Sequence, residues 1–389
     1  MPADESRREH VYLSGLFWDG LWIIQQPVCN EIQKTEPVLF VERPVSLFTV
    51  LRYPSLWPRL FTWMRGARRR TKNLRILAPL PLFHLGHRFP RVYRLELELQ
   101  RLWIRWWAGT GSGRRRVLWA DNPVFHSLFG RMEESISVYH LGDELGHFHT
   151  SHEPTLRRLE ERLLEKTTLV FAAADEMARV RQGRHPRVYS IWNAIDTAIY
   201  ERAIPDAEFQ DIDRIGRPRV AFVGVLDHWV DLGLLVETAR ALPDVQLVMI
   251  GPSRVDDRVL RELGNVHFLG TRRRELIPGM LRRVSASLVP FESSALTVNI
   301  VPAKVFEALA AGIPPVCTAF SANLDVLERQ GLVPVARTPE AFIAEVRRAI
   351  ANDSPARRAE ISAFGSRQTW TDRWSRMRTL LSEYDDRRG

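Results

Sequence analysis

Short apolar runs rich in β-branched and aromatic residues alternate along the chain with stretches of helical period. That alternation is the signature of a parallel sheet covered by helices. In the first half the pattern predicts strands at Val11–Phe17, Val38–Val41, Leu74–Ala78, Val117–Ala120, Ser137–Leu141, Leu169–Ala173 and Val188–Ile191, with helices over 20–34, 90–108, 153–166 and 175–182. The 46–72 stretch has no clear period. Residues 201–217 are polar and proline-bearing, as expected of a linker between domains.

Regular alternation then restarts with strand Val220–Val223, helix Leu232–Leu242, strand Gln246–Ile250, helix Val255–Leu263, strand Val266–Leu269, helix Arg274–Arg283 and strand Ser287–Phe291. It continues with helix Pro302–Ala311, strand Pro315–Thr318, a short helix Asn323–Gln330, strand Val333–Ala336 and helix Pro339–Ala351. The expected fold is α/β with two doubly wound, Rossmann-like domains. The first spans 1–200 and the second 218–365, and 366–389 form a terminal helix. Trp370, Trp374, Met377, Leu381 and Tyr384 fall on one face of that helix and need a docking site.

With 389 residues, 45% of them apolar, the chain can fill two cores. Cys29 and Cys317 lack a CxxC partner, which argues against a disulfide framework or a thiolate zinc site and fits a reducing compartment. Residues 1–10 are charged where a secretory signal would be apolar, and no run reaches the roughly 18 apolar residues of a spanning helix. The net charge of +9 is concentrated: residues 52–116 carry 16 Lys or Arg against Glu96 and Glu98 alone. Five of the twelve tryptophans share that stretch, Trp57, Trp63, Trp103, Trp106 and Trp107. Cations mixed with interfacial indoles suit an anionic lipid surface better than nucleic acid, the other partner that attracts such charge. A solvated basic face over buried tryptophans is the plainer alternative.

The strongest local signal for chemistry is Thr297-Val-Asn-Ile-Val-Pro-Ala-Lys-Val-Phe-Glu-Ala-Leu-Ala-Ala-Gly-Ile-Pro-Pro-Val, which follows a predicted strand. Pro302 suits the start of a helix and Gly312 its end. A helix N-terminus at the carboxyl edge of a parallel sheet favours phosphate. Lys304 would add a full cation there, and Glu307, one turn on, could accept hydrogen bonds from sugar hydroxyls. The competing account is an amphipathic helix whose Val305, Phe306 and Leu309 simply fill the core.

This segment resembles the donor-site signature of GT-B glycosyltransferases, a Pro-x-Lys-x-x-Glu helix followed by a Gly-x-Pro turn. Phe222-Val-Gly-Val-Leu, Val248-Met-Ile-Gly-Pro, Val266-His-Phe-Leu-Gly and Trp192-Asn-Ala-Ile-Asp agree in order and spacing. Phe17-Trp-Asp-Gly-Leu-Trp, Tyr139-His-Leu-Gly-Asp-Glu and Gly224-Val-Leu-Asp-His-Trp-Val-Asp resemble bacterial teichuronic-acid-type enzymes, which build cell-surface polysaccharides or their lipid-linked precursors. The resemblance implies a C-terminal helix that crosses back to the first domain, an acceptor-binding first domain with a basic, Trp-rich insertion over 46–110, and a nucleotide-sugar-binding second domain. It also implies a metal-independent hexosyltransferase with no cofactor, whose donor is a UDP or GDP sugar and whose acceptor is a polysaccharide or a lipid-linked glycan. The expected location is cytoplasmic, peripheral on the inner membrane face. Donor contacts are expected at Gly224, Thr297, Asn299, Pro302, Lys304 and Glu307.

One departure affects mechanism. Many retaining members carry a second glutamate eight positions before Glu307, where this chain has Asn299, and an amide cannot bear charge. Basic residues that many relatives carry after the second domain's first strand are also missing. An inverting mechanism needs a carboxylate to take the acceptor proton; Asp143, after the strand ending at Leu141, is the first candidate, and Asp19 in the first strand-to-helix loop the second. Each could equally be a loop hydrogen-bond acceptor. His140, His147, His149 and His152 lack a metal-binding spacing and suggest an acceptor loop instead, and Asp211-Ile-Asp213 lies in the predicted linker. A nucleotide-sugar epimerase of the same fold and a donor-binding subunit without turnover are the competing functions.

Overall fold

The computed structural model describes residues 8–20, 22–81, 90–109, 114–142 and 153–386. It divides into two compact units, one of residues 1–173, 178–191 and 374–389 and the other of 174–177 and 192–373.

The first unit is built on an eight-stranded sheet in the order β3-β4-β2-β1-β5-β6-β7-β8. The strands are β1 (Arg8–Leu13), β2 (Val38–Val41), β3 (Ala67–Arg69), β4 (Leu74–Leu77), β5 (Arg115–Ala120), β6 (Glu134–Leu141), β7 (Leu169–Ala172) and β8 (Val188–Ser190). All pairs are parallel except β3 with β4. The expected helices appear at Gln25–Ile32, Pro90–Ala108, Glu153–Leu164 and Asp175–Gln182. The core of the sheet is aromatic and partly polar. Trp119 donates to His10 Nδ1 at 2.9 Å, and His10 Nε2 meets the Glu36 carboxylate at 2.5 Å. Tyr12 and His140 share a 2.7 Å hydrogen bond.

The first strand is shorter than its apolar run predicts. It ends at Leu13, because the backbone turns at Ser14 and Gly15, where Asp121 accepts from both, so Leu16 and Phe17 lie in the loop. Residues 46–72 resolve into a short helix (Leu47–Arg52), a 3-10 stretch (Pro54–Arg65) and β3.

The second unit holds a six-stranded parallel sheet in the order β11-β10-β9-β12-β13-β14. Its strands are β9 (Arg219–Val223), β10 (Gln246–Ile250), β11 (Val266–Gly270), β12 (Ala286–Val289), β13 (Pro315–Thr318) and β14 (Val335–Ala336). Order reverses beside β9, whose neighbours are β10 and β12, so the switch point of this doubly wound sheet lies between β9 and β12. In the first unit it lies between β1 and β5.

Two readings of the second half need correction. The stretch 201–217, read as a linker, is built into the second unit: Phe209 and Ile212 are buried in its core, and the Asp211 and Asp213 carboxylates pair with Arg272 and Arg283. The predicted 274–283 helix is a 3-10 turn (Arg274–Leu276) followed by Ile277–Leu281, with Pro278 in the first turn. A helix at Pro355–Gly365 went unread because its apolar face is thin; only Ile361 and Gly365 are buried.

The last helix, Trp370–Asp386, belongs to the first unit from Trp374 onward. Its apolar face docks as the spacing required: Trp374 stands 5.7 Å from the His10 ring and 6.3 Å from Trp119, Met377 and Leu381 are fully buried, and Arg187 lies over Tyr384. Arg8 closes the contact with a 2.7 Å ion pair to Asp385. No described helix is long and apolar enough to cross a membrane.

Candidate functional site

Three strands of the second sheet end in glycine at its carboxyl edge. Gly224 follows β9, Gly251 follows β10 and Gly270 closes β11, all with positive φ. Gly224 N–H donates to the Ile250 carbonyl at 2.8 Å, and Gly251 N–H to the Gly270 carbonyl at 2.9 Å. A Cβ on Gly251 would lie 2.0 Å from the Gly224 carbonyl oxygen, so only glycine allows these two strand ends to meet.

Over this edge stands the helix Ala303–Ala310, with Pro302 extended at its N-cap. Val305, Phe306 and Leu309 anchor it in the core. It is braced on the far side as well. Asn193 Nδ2 donates to the Val301 carbonyl at 3.0 Å, which gives the Trp192-Asn-Ala-Ile-Asp segment a mechanical role, and Tyr200 Oη, from the short helix that follows, donates to the Glu307 carbonyl at 2.9 Å. Of the first-turn amides, Val305 N–H donates to the Pro302 carbonyl at 3.0 Å, while those of Ala303 and Lys304 have no helical acceptor and point, with the positive end of the dipole, out of the edge.

Lys304 sits in that first turn. Its Nζ lies 4.5 Å from the centre of the Phe222 ring and 4.6 Å from that of Phe291. Phe222 belongs to β9 and Phe291 follows β12, so the ammonium stands at the switch point. A Cβ on Gly224 would come within 2.8 Å of it. Lys304 makes no ion pair or hydrogen bond among the described residues; two ring faces attract it in place of a counter-ion. Burial pushes its pKa down to about 8, with Glu307 and Cys317 acting weakly the other way.

Glu307 is half-buried, and burial raises its pKa against the pull of Arg274 and Lys304. Neither its carboxylate nor the Asn299 amide has a hydrogen-bond partner among the described residues. The structure thus brings Gly224, Pro302 and Lys304 together at the strand edge and helix start, with Glu307 one turn further on, and no contact among the described residues ties Asn299 to them. Thr297 differs. It is buried, and its hydroxyl donates to the Glu292 carbonyl and accepts from Ser294 N–H at 3.0 Å, so it holds its own loop. Phe222, Phe291 and the glycines 251 and 270 escaped sequence reasoning as site residues; the shared position of glycine after three successive strands was the signal available.

In the first unit, Asp143 lies outside the described residues, as do His147, His149 and His152. His140 is a core residue of β6 rather than part of a loop, and burial lowers its pKa to about 3. Asp19 is exposed in the loop after β1. A carboxylate that sequence reasoning missed fills this unit's switch point. Asp121, after β5, accepts from Ser14 Oγ at 2.8 Å and Gly15 N–H at 2.7 Å, and burial raises its pKa to about 6. No group of three His, Cys, Asp or Glu among the described residues is arranged to hold a metal.

Residues 217–352 match the family of glycosyl transferases group 1. Over that stretch the chain is similar to group 1 glycosyl transferases. The match covers the unit that carries the glycine-lined edge and Lys304. The putative teichuronic acid biosynthesis glycosyltransferase TuaH of Bacillus subtilis is 23% identical over 233 residues, which span 54% of this chain and 57% of TuaH. Anabaena Alr3699/HepE, solved with UDP, superposes with a TM-score of 0.67 at 15% identity, covering 96% of this chain and 100% of that one. Sucrose-phosphate synthase from Thermosynechococcus elongatus gives 0.69 at 14% identity over 97% of this chain and 100% of its own. These superpositions establish the GT-B fold of two Rossmann-like domains.

Proposed function

We propose that the chain transfers a hexose from a nucleotide-diphosphate sugar to a polysaccharide or lipid-linked acceptor. The observation that carries this is Lys304: a cation without a counter-ion, held between two aromatic rings at the switch point of a sheet whose edge has been cleared by glycine. Such a position is stabilised by an arriving diphosphate, which supplies the missing negative charge. The first-turn amides of Ala303–Ala310 add dipoles aimed the same way. Glu307 and Asn299 are the acceptors left for ribose or sugar hydroxyls.

In the reaction, an acceptor oxygen bonds to the anomeric carbon, the bond from that carbon to the phosphate oxygen breaks, and the nucleoside diphosphate leaves with the electron pair. Lys304 and the helix start stabilise the departing charge without a metal. Inversion is the outcome favoured by the uncharged Asn299, and it assigns the acceptor proton to Asp143 or Asp19. A fold neighbour described by glycosyltransfer with retention, trehalose-6-phosphate synthase, makes retention the second reading. The anomeric configuration of the product, read by NMR, separates the two. Uridine is the favoured base, since Alr3699/HepE binds UDP and UDP-glucose. The likeness to TuaH, a putative teichuronic acid biosynthesis glycosyltransferase, points to a cell-surface polysaccharide acceptor, and the basic, aromatic first unit to a site of action on the cytoplasmic membrane face.

The test is calorimetry or thermal shift with UDP and GDP on wild type and Lys304→Ala. One nucleotide should bind, and the substitution should weaken it by roughly 1.5 to 3 kcal/mol, the scale of a charge-assisted contact. If neither nucleotide binds the intact protein, the proposal fails and a subunit without donor chemistry takes its place.

A further inference from the structure

The Pro90–Ala108 helix buries one side and exposes an apolar one. Its inner side packs through Glu96, Gln100, Ile104 and Ala108, all buried. Gln100 is tied to the backbone of Leu80, and Trp103 Nε1 donates to the Ala78 carbonyl at 3.2 Å, so the orientation of the helix is fixed. Its outer side carries Val92, Leu95, Leu99, Leu102 and Trp106, each at least 40% exposed, Leu95 60% and Trp106 68%. Spacings of three, four, three and four place these five on one ridge along the whole helix. A continuous apolar ridge facing water is costly and unusual for a surface helix, whereas single exposed leucines are not.

Arginines run alongside. One position before each ridge residue lie Arg91, Arg94, Glu98, Arg101 and Arg105, a row next to the ridge that is basic except at Glu98. Arg101 pairs with Glu98 and Arg105 with Glu133, while Arg91 and Arg94 have no partner among the described residues. The ridge also continues into a second apolar area. Trp106 touches Trp103 at 5.7 Å, and Trp103 touches Trp63 at 6.0 Å, in the 3-10 stretch that exposes Trp57, Phe61 and Met64.

We infer that Pro90–Ala108 lies in the interface of an anionic lipid bilayer, with the 92–95–99–102–106 ridge inserted among acyl chains and Arg91 and Arg94 on the headgroups. An apolar ridge, a flanking cationic row and an indole at the end of the ridge are what an interfacial helix requires, and the charge selects anionic lipid. This deepens the membrane part of the proposed function by naming the contacting element, and it is independent of the donor site.

The test is flotation of the full chain with phosphatidylcholine vesicles with and without phosphatidylglycerol. Wild type should float only with phosphatidylglycerol; Leu95→Glu with Leu102→Glu should abolish flotation at an unchanged melting temperature; Arg91→Ala with Arg94→Ala should weaken it by about fivefold per arginine. If the double glutamate variant fails to fold, quenching by brominated lipid decides, since it should report Trp106 in wild type and lose that signal in Trp106→Phe. The inference is overturned if wild type does not float, if the glutamate variant floats equally well, or if wild type sediments as a dimer that the glutamate variant splits, which would assign the ridge to a second copy.

Discussion

The two sheets turn opposite chemistry toward their switch points. In the first unit, Asp121 fills the position between β1 and β5, and its carboxylate is consumed by Ser14 and Gly15 of the neighbouring loop. Glu42, after β2, is bound less completely: one oxygen accepts from Trp18 N–H at 3.0 Å, and the carboxylate lies 3.7 Å from Arg59 and from Arg68. In the second unit the corresponding position holds glycines and a lysine with no ion pair or hydrogen bond among the described residues. A carboxylate satisfied by its own loop stabilises that loop; a cation held only by ring faces is set for an external anion. The same topology therefore builds a fastened edge in one unit and a receptive one in the other, and the difference lies in which polar groups already have partners.

The comparison breaks most sharply if the second edge is made like the first. Gly224→Asp would place a carboxylate against Lys304, and UDP binding should fall by more than about a hundredfold in calorimetry, because the ligand must displace an internal ion pair. Gly251→Ala attacks the geometry alone. With its Cβ forced against the Gly224 carbonyl at a φ of +138, it should cost about 2 to 4 kcal/mol in denaturant unfolding. In the first unit, Asp121→Ala strands buried donors and should cost about 1 to 3 kcal/mol, yet leave UDP affinity within about twofold.

The smallest effect concerns Lys304 itself. Its pKa is lowered to about 8 in the folded chain, so the unfolded chain binds the extra proton between that pH and the ordinary lysine value. The penalty for holding the cation is present in full below pH 8 and fades as pH rises from there toward 10.5. Lys304→Met should therefore be slightly more stable than wild type at pH 7, by about 1 kcal/mol after screening at this partly buried position, and the gap should narrow across that window.

Much of this architecture was legible in the sequence because buried parallel strands must be nearly continuous apolar runs, and most strands and long helices fall where the pattern puts them. The donor helix was legible for the same reason, with Pro302, Lys304 and Glu307 at helical spacing. What was not legible depends on long-range neighbours. Nothing local shows that Phe222 and Phe291, separated by 69 positions, sandwich the lysine, or that Asp121 reaches back to Ser14. The polar stretch 201–217 misled because its few apolar residues, Phe209 and Ile212, find their burial only against distant strands.

The most direct test of an uncompensated Lys304 is proton uptake on UDP binding near pH 9, measured by calorimetry in buffers of different ionisation enthalpy. With a free-state pKa of about 8 the lysine is mostly neutral at that pH, so binding should draw in close to one proton per nucleotide in wild type and none in Lys304→Met. Wild-type binding without proton uptake, or equal affinity in the methionine variant, would contradict the account.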